Sequence, residues 1–112
     1  MAQTLLRRPS PLQKTAMLAF ERKAAEAVGL LKLLANENRL FILCRLAIAG
    51  EMSVGDLADA VDLSQSALSQ HLAKMREDGL LATRREAQTV FYRILDPNAA
   101  RLLALLKDLY CP

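Results

Sequence analysis

The chain has 112 residues, of which 53% are hydrophobic, and its formal net charge is +3. This length supports one domain with a hydrophobic core, and the abundance of Leu and Ala favours helices. No apolar run is long enough to span a membrane and no secretory signal is visible, so we expect a cytoplasmic protein without membrane contacts. The mildly basic balance suits contact with phosphate groups.

The first half of the chain predicts two helices. Residues 1–10 have the composition of a disordered basic arm, and we expect the folded domain to occupy residues 11–112. A first helix runs from Leu12 to about Ala35, and Asn36 can cap a second helix that ends at Gly50. Apolar side chains recur three and four residues apart in the first helix, as one face of an amphipathic helix requires: Met17, Phe20, Ala24, Ala27, Val28, Leu31 and Leu34.

The next segment has the pattern of a helix-turn-helix. Ser53 can cap a third helix over Val54–Ala60, and Ser64 can cap a fourth helix that runs to Glu77. A tight break at Asp62-Leu63 separates these two helices. Two short capped helices joined by such a break are the usual core of a small DNA-binding domain.

A basic hairpin and a terminal helix complete the chain. The hairpin takes residues 81–95, with its turn near Glu86-Ala87-Gln88. In its second strand Val90, Tyr92 and Ile94 alternate with Thr89, Phe91 and Arg93. Asp96 and Pro97 start the last helix, whose apolar residues occupy more than one face, so we expect it to contact a partner chain. The fold class is mainly α with a small β-hairpin, a winged helix-turn-helix.

The fourth helix carries the groups that can recognise DNA bases. Leu68, Leu72 and Met75 share one face and belong to the core. The other face holds amides and hydroxyls, which can bond base edges in the major groove of operator DNA. Lys74 and the hairpin arginines can contact phosphates. The predicted DNA-binding set is Ser64, Gln65, Ser66, Ser69, Gln70, His71, Lys74, Arg84, Arg85 and Gln88.

Each part of this interface also has a simpler interpretation. A helix rich in Ser and Gln can be an ordinary solvated surface, and a basic hairpin can be a charged edge that prevents strand pairing. His71 has no acidic or thiol neighbour at metal-binding spacing, so we interpret it as a DNA or solvent contact. A winged-helix module that binds protein instead of DNA stays open at this point.

Three stretches of the chain resemble the ArsR/SmtB repressors: Leu30–Leu40, Ser53–Leu57 and Leu63–Leu72. The resemblance implies a homodimer built through the first and last helices, which leaves its operator when an inducer binds. Many members of the family sense metals through a Cys-x-Cys motif, but Ser53 and Gly55 stand at those positions here, and the last helix has no His. We therefore predict no metal site, with a two-thiol site for a soft ion as a minor alternative.

The two cysteines, Cys44 and Cys111, stand in a pattern similar to the persulfide-responsive subgroup of this family (SqrR, BigR, YgaV and HlyU type). The wing segment Arg84–Gln88 and the ending Leu109–Cys111 add to that similarity. It implies that persulfide links Cys44 to Cys111 by a polysulfide bridge within one subunit and so lowers DNA affinity. No cofactor is then required.

Other inputs remain open from the residues alone. Cys44 can be a small core residue and Cys111 a terminal residue without a role. The same fold could sense peroxide, a soft metal, or haem, with Cys111 or His71 as the haem ligand. A thiol enzyme is disfavoured because the sequence has no Cys-x-x-Cys motif and no glycine-rich phosphate loop. We therefore expect no enzyme activity.

Overall fold

The computed structural model describes residues 10–110, which divide into two units between Lys32 and Leu33. Residues 1–9, Cys111 and Pro112 lie outside the described part. The predictions of a disordered arm over 1–10 and of a single domain over 11–112 therefore stay predictions. Within the part described, no helix is long and apolar enough to cross a membrane.

The first unit is formed by helix α1, Pro11–Leu34, whose last two residues belong to the second unit. Its first turn is capped reciprocally: the Gln13 amide donates to Ser10 Oγ at 3.1 Å, and the Ser10 amide donates to Gln13 Oε1 at 2.6 Å. Such a paired cap satisfies backbone donors that a helix start leaves free. Along this helix several large apolar side chains are exposed: Met17, Phe20, Val28 and Leu31.

The second unit contains the remaining elements in the order expected for a winged helix-turn-helix. They are α2 Glu37–Ala49, β1 Met52–Ser53, α3 Val54–Ala60, α4 Gln65–Glu77, β2 Leu81–Glu86, β3 Thr89–Ile94 and α5 Pro97–Tyr110. The predicted fold class, mainly α with a small β-hairpin, is confirmed.

Local capping explains where these helices begin. The side chains of Asn36, Ser53 and Ser64 each accept a hydrogen bond at 3.1 Å from the backbone amide three residues on. Asp96 Oδ1 accepts from the amide of Asn98 at 2.8 Å. Each cap satisfies a donor that would otherwise lack a partner, which is why short polar residues precede these helices. All four predicted caps are confirmed.

The core of the second unit is aliphatic and lies beneath the helix-turn-helix. Helix α2 packs against α5 and β3, and α4 packs against β2. No polar or charged side chain of residues 10–110 is buried. The side chains that are essentially inaccessible to solvent are Ile42, Leu43, Leu46, Leu57, Leu68, Leu72, Met75, Leu80, Leu81 and Leu103.

The sheet has a third strand that the sequence did not predict. Strand β1 pairs antiparallel with β3, which lies between β1 and β2. Because β1 spans only two residues, it is too short to show the alternation by which strands are recognised. Its register places Ser53 opposite Phe91, and β2 places Arg84 opposite that same residue.

Candidate nucleic-acid interface

Helix α4 presents two chemically different faces. Leu68 and Met75 are fully buried and Leu72 is 1% exposed, so this face is fixed in the core. The opposite face is exposed, and from the start of the helix to Ala73 it carries amides, hydroxyls and a methyl: Gln65, Ser66, Ser69, Gln70 and Ala73. A helix held in this way can enter a major groove with small hydrogen-bonding groups foremost.

Ser64 caps the start of α4. Its Oγ accepts the amide hydrogen of Ala67, and it lies 3.3 Å from Ser66 Oγ. Because a hydroxyl has one hydrogen to donate as well as its lone pairs, Ser64 can still donate to a phosphate while it caps the helix. The positive end of the helix dipole at this position favours that approach of an anion.

The C-terminal half of α4 carries its cations. Lys74 is exposed and forms an ion pair at 3.3 Å with Asp78, one turn further on. Such exposed pairs are weak, so Lys74 remains able to contact a phosphate. Arg76 is exposed as well, whereas His71 is half-buried. Lys74 and Arg76 are therefore accessible to a phosphate, and His71 is accessible only in part.

The hairpin ends in a tight turn between Glu86 and Thr89, which pair with each other. Ala87 has a φ of 55°, a left-handed backbone that is uncommon for a residue with a side chain. Gln88 lies in the turn, as predicted, and is exposed. Arg85 is exposed on β2, where it pairs with Val90. Gln88 and Arg85 are therefore accessible to a DNA backbone.

Arg84, which was predicted to contact phosphates as one of the hairpin arginines, is bound to carboxylates of the protein itself. It lies on β2, and its guanidinium forms ion pairs with Glu51 at 2.7 Å and with Glu86 at 2.9 Å. The Phe91 ring lies beneath it and is half-buried. Alternation in the sequence could not reveal this, because the partner Glu51 is 33 residues away.

Electrostatics agree with this arrangement. The hydrogen bond from Arg84 lowers the pKa of Glu51, with smaller Coulombic contributions from Arg84 and Arg93 in the same direction. The same bond raises the pKa of Arg84, and the bond to Glu86 adds to that effect. Both groups thus stay charged under ordinary conditions. Sequence reasoning did not identify Glu51 as the partner of Arg84.

The candidate sensor is only partly within the described residues. Cys44 is half-buried in α2, next to the fully buried Leu43. Cys111 follows Tyr110, the last residue of α5, and lies outside the described part. The pairing of Cys44 with Cys111 stays a prediction. Among residues 10–110, no three His, Cys, Asp or Glu side chains are grouped so that they could hold a metal ion.

Comparison with known proteins places this architecture in a family. The family model described as "Bacterial regulatory protein, arsR family" matches residues 36–83, from the α2 cap into β2. The "Transcriptional activator HlyU" of Vibrio cholerae is 55% identical over 92 residues, which cover 82% of this chain and 84% of that protein. The "Biofilm growth-associated repressor" of Agrobacterium fabrum is 42% identical and covers 97% of this chain and 92% of its own.

Solved structures agree with these relatives. HlyU from Vibrio vulnificus superposes with a TM-score of 0.79 at 51% identity and covers 86% of this chain and 99% of that one. The repressor BigR from Xylella fastidiosa gives a TM-score of 0.78 at 38% identity, covering 86% and 97% of the two chains. The predicted resemblance is confirmed at the level of the family. The chain belongs to the bacterial arsR family and is a winged-helix, DNA-binding transcriptional regulator, not an enzyme.

Proposed function

We propose that this regulator is a cytoplasmic homodimeric repressor that binds double-stranded operator DNA and is released by persulfide or polysulfide. The observation that carries the DNA part is the exposed amide and hydroxyl face of α4, held opposite a fully buried apolar face. Gln65 and Ser69 recognise base edges, while Lys74 and Arg85 contact phosphates.

The dimer is supported by apolar surface at both ends of the chain. Phe20 of α1 is 66% exposed, and Leu109 and Tyr110 of α5 are 62% and 78% exposed. Large apolar patches on a small protein usually mark an interaction site, and symmetric pairs are the commonest assembly. Sedimentation equilibrium tests this directly: a monomer at micromolar concentration would contradict the dimer.

Release is proposed to depend on a bridge between Cys44 and Cys111. Helix α2, which carries Cys44, packs against α5, the helix that Cys111 follows. A bridge between the two helices would fix α5 against α2 and so change how α5 meets the partner subunit. A change at the dimer contact alters the spacing of the two α4 helices, which must fit successive major grooves together.

The chemistry balances with persulfide as the oxidant. The thiolate of one cysteine attacks the outer sulfur of a persulfide R–S–SH, which breaks the S–S bond and releases the thiol R–SH. The protein persulfide then accepts attack by the second thiolate on its inner sulfur, and hydrogen sulfide leaves as the bridge forms. If a further persulfide first lengthens the chain, the same displacement leaves a polysulfide bridge. No resident cofactor is needed.

Intact-mass analysis tests this step. After persulfide treatment and alkylation, the wild-type protein should still have the mass of one chain. Neither cysteine should carry an alkyl group, because both are in the bridge. Any sulfur atoms inserted in the bridge should appear as added mass. Cys44→Ser and Cys111→Ser should each give an alkylatable persulfide instead of a bridge. A crosslinked dimer, or a wild type with both thiols alkylated, would contradict the proposal. Parallel treatment with peroxide and with haem separates the rival inputs.

A further inference from the structure

The Arg84 side chain contacts Glu51 just before β1, Glu86 at the end of β2 and Phe91 on β3. Its Nε donates to both carboxylate oxygens of Glu51 at 2.9 Å, and its Nη2 lies 2.7 Å from Glu51 Oε1. Its Nη1 donates to Glu86 at 2.9 Å, and its Cζ lies 4.3 Å from the centroid of the Phe91 ring. Every guanidinium nitrogen thus has a carboxylate partner, in the forked geometry that arginine favours.

The contact between Arg84 and Glu51 spans the sheet, because the central strand β3 lies between β1 and β2. Ser53 on β1 and Arg84 on β2 both pair with Phe91 on the central strand, and directly paired residues project from the same face of a sheet. Arg84 therefore reaches over Phe91 to Glu51, the residue immediately before β1. The contact links one edge of the sheet to the other.

Strand β1, at the edge of the sheet next to Glu51, continues directly into the helix-turn-helix. Strand β1 has only two register pairs with β3, and its last residue, Ser53, caps α3. So short a strand is held weakly by its backbone alone. The contact between Glu51 and Arg84 adds a side-chain link between the wing and the segment from which α3 begins.

Arg84 and the neighbouring Arg85 differ in whether their charges are paired within the protein. Arg84 shares its positive charge with two carboxylates, so little of that charge is left to attract a phosphate. Arg85 follows it in β2, where side chains alternate between faces. No ion pair involves Arg85 within residues 10–110, and its side chain is exposed. Arg85 is thus the better placed wing cation for a phosphate.

We infer that Glu51 and Arg84 form a wing-positioning pair, which holds the hairpin against the helix-turn-helix so that Arg85 contacts the DNA backbone. Arg84 then acts through the wing and does not itself bind phosphate, in contrast to its predicted role. This inference rests on the proposed contact between wing and DNA. It makes an acidic residue, Glu51, necessary for tight binding to a polyanion.

The test is a double-mutant cycle between Glu51→Gln and Arg85→Ala, with operator affinity measured across a salt series. Glu51→Gln removes a negative charge, so simple electrostatics would tighten binding. The positioning pair predicts the opposite: affinity falls about 3- to 10-fold, and the slope of log affinity against log salt becomes shallower by about 0.9 per subunit, the value of one phosphate contact. In the Arg85→Ala background, Glu51→Gln should add no further loss.

Two results would overturn the pair. If Glu51→Gln binds operator as tightly as the wild type or more tightly, the carboxylate does not help to position the wing for DNA binding. An equal loss with and without Arg85 would show that the pair acts on the whole fold and not through the wing. Arg84→Lys is a second variant that keeps the charge but cannot form the fork, so it should bind as weakly as Glu51→Gln, and wild-type binding by it would contradict the pair.

The same titrations separate this inference from the proposed function. If the wild type binds operator no more tightly than random DNA, the proposed function fails and the pair fails with it. If the wild type discriminates and is released by persulfide while Glu51→Gln binds normally, only the pair is contradicted.

Discussion

The Cζ atom of Arg84 lies 4.3 Å from the centroid of the Phe91 ring, on the strand paired with its own. A guanidinium over an aromatic face is attracted by the ring and is restrained by it. The side chain that the sequence presents as a free wing cation is thereby oriented across the sheet toward Glu51. The positive charge of Arg84 is therefore used in contacts that hold the wing, and not in a contact with DNA.

Acid should remove the contribution of Glu51 to stability. The pKa of Glu51 is lowered from 4.5 in the folded chain, so the carboxylate stabilises the fold above the unfolded value, and this contribution is lost as pH falls through the lower folded pKa. The melting temperature of Glu51→Gln should therefore lie below that of the wild type at neutral pH. The gap should close only below pH 4.5.

Thermal unfolding monitored by circular dichroism from neutral to acid pH measures this gap. Glu77→Gln, which removes an exposed carboxylate at the end of α4, is the matched control and should show no comparable gap. A difference between wild type and Glu51→Gln that stays constant through the acid range would contradict the ion pair.

Base recognition should depend on the exposed face of α4. Gln65→Ala and Ser69→Ala each remove a group placed to bond a base edge, so each should reduce the preference for operator over random DNA. A good bidentate contact is worth about 1–3 kcal/mol of discrimination, which sets the upper range for Gln65. Competition titrations with operator and random duplexes measure the ratio. Asn98→Ala, which removes an exposed amide outside α4, should leave it unchanged, and equal ratios for all variants would show that another face recognises the bases.

Ser64 should contribute to stability through its cap. Ser64→Ala removes the acceptor for the Ala67 amide and should cost about 0.5–2 kcal/mol of unfolding free energy, the usual value of such a cap. Ser66→Ala removes an exposed neighbouring hydroxyl and should change stability by less than about 0.5 kcal/mol. Urea unfolding of both variants measures the difference. Equal stability of the two would contradict the capping role.

Local rules predicted much of this fold, and contacts distant in sequence explain what they missed. The caps Asn36, Ser53, Ser64 and Asp96 act on amides within three residues, so the sequence alone locates them. The buried face of α4 follows from helical spacing. Strand β1 depends on pairing with β3 far along the chain, and two residues carry no periodic signal. The partner of Arg84 was missed for the same reason.

The predicted site also has a part that helical spacing predicts and a part that depends on residues distant in sequence. The exposed polar face of α4 follows from the same spacing that buries its apolar face, and the structure places those side chains in solvent as expected. The sensor depends on where Cys111 lies relative to Cys44. Helical spacing carries no information on that distance, because the two residues lie on different elements.

Release from the operator is the most direct test of the account. Fluorescence anisotropy of a labelled operator duplex should show bound wild-type protein dissociate when persulfide is added and rebind when dithiothreitol reduces the bridge. Cys44→Ser and Cys111→Ser should bind as tightly as the untreated wild type and stay bound under persulfide. Wild-type protein that remains on its operator after the bridge has formed, or cysteine variants that dissociate as readily as the wild type, would contradict it.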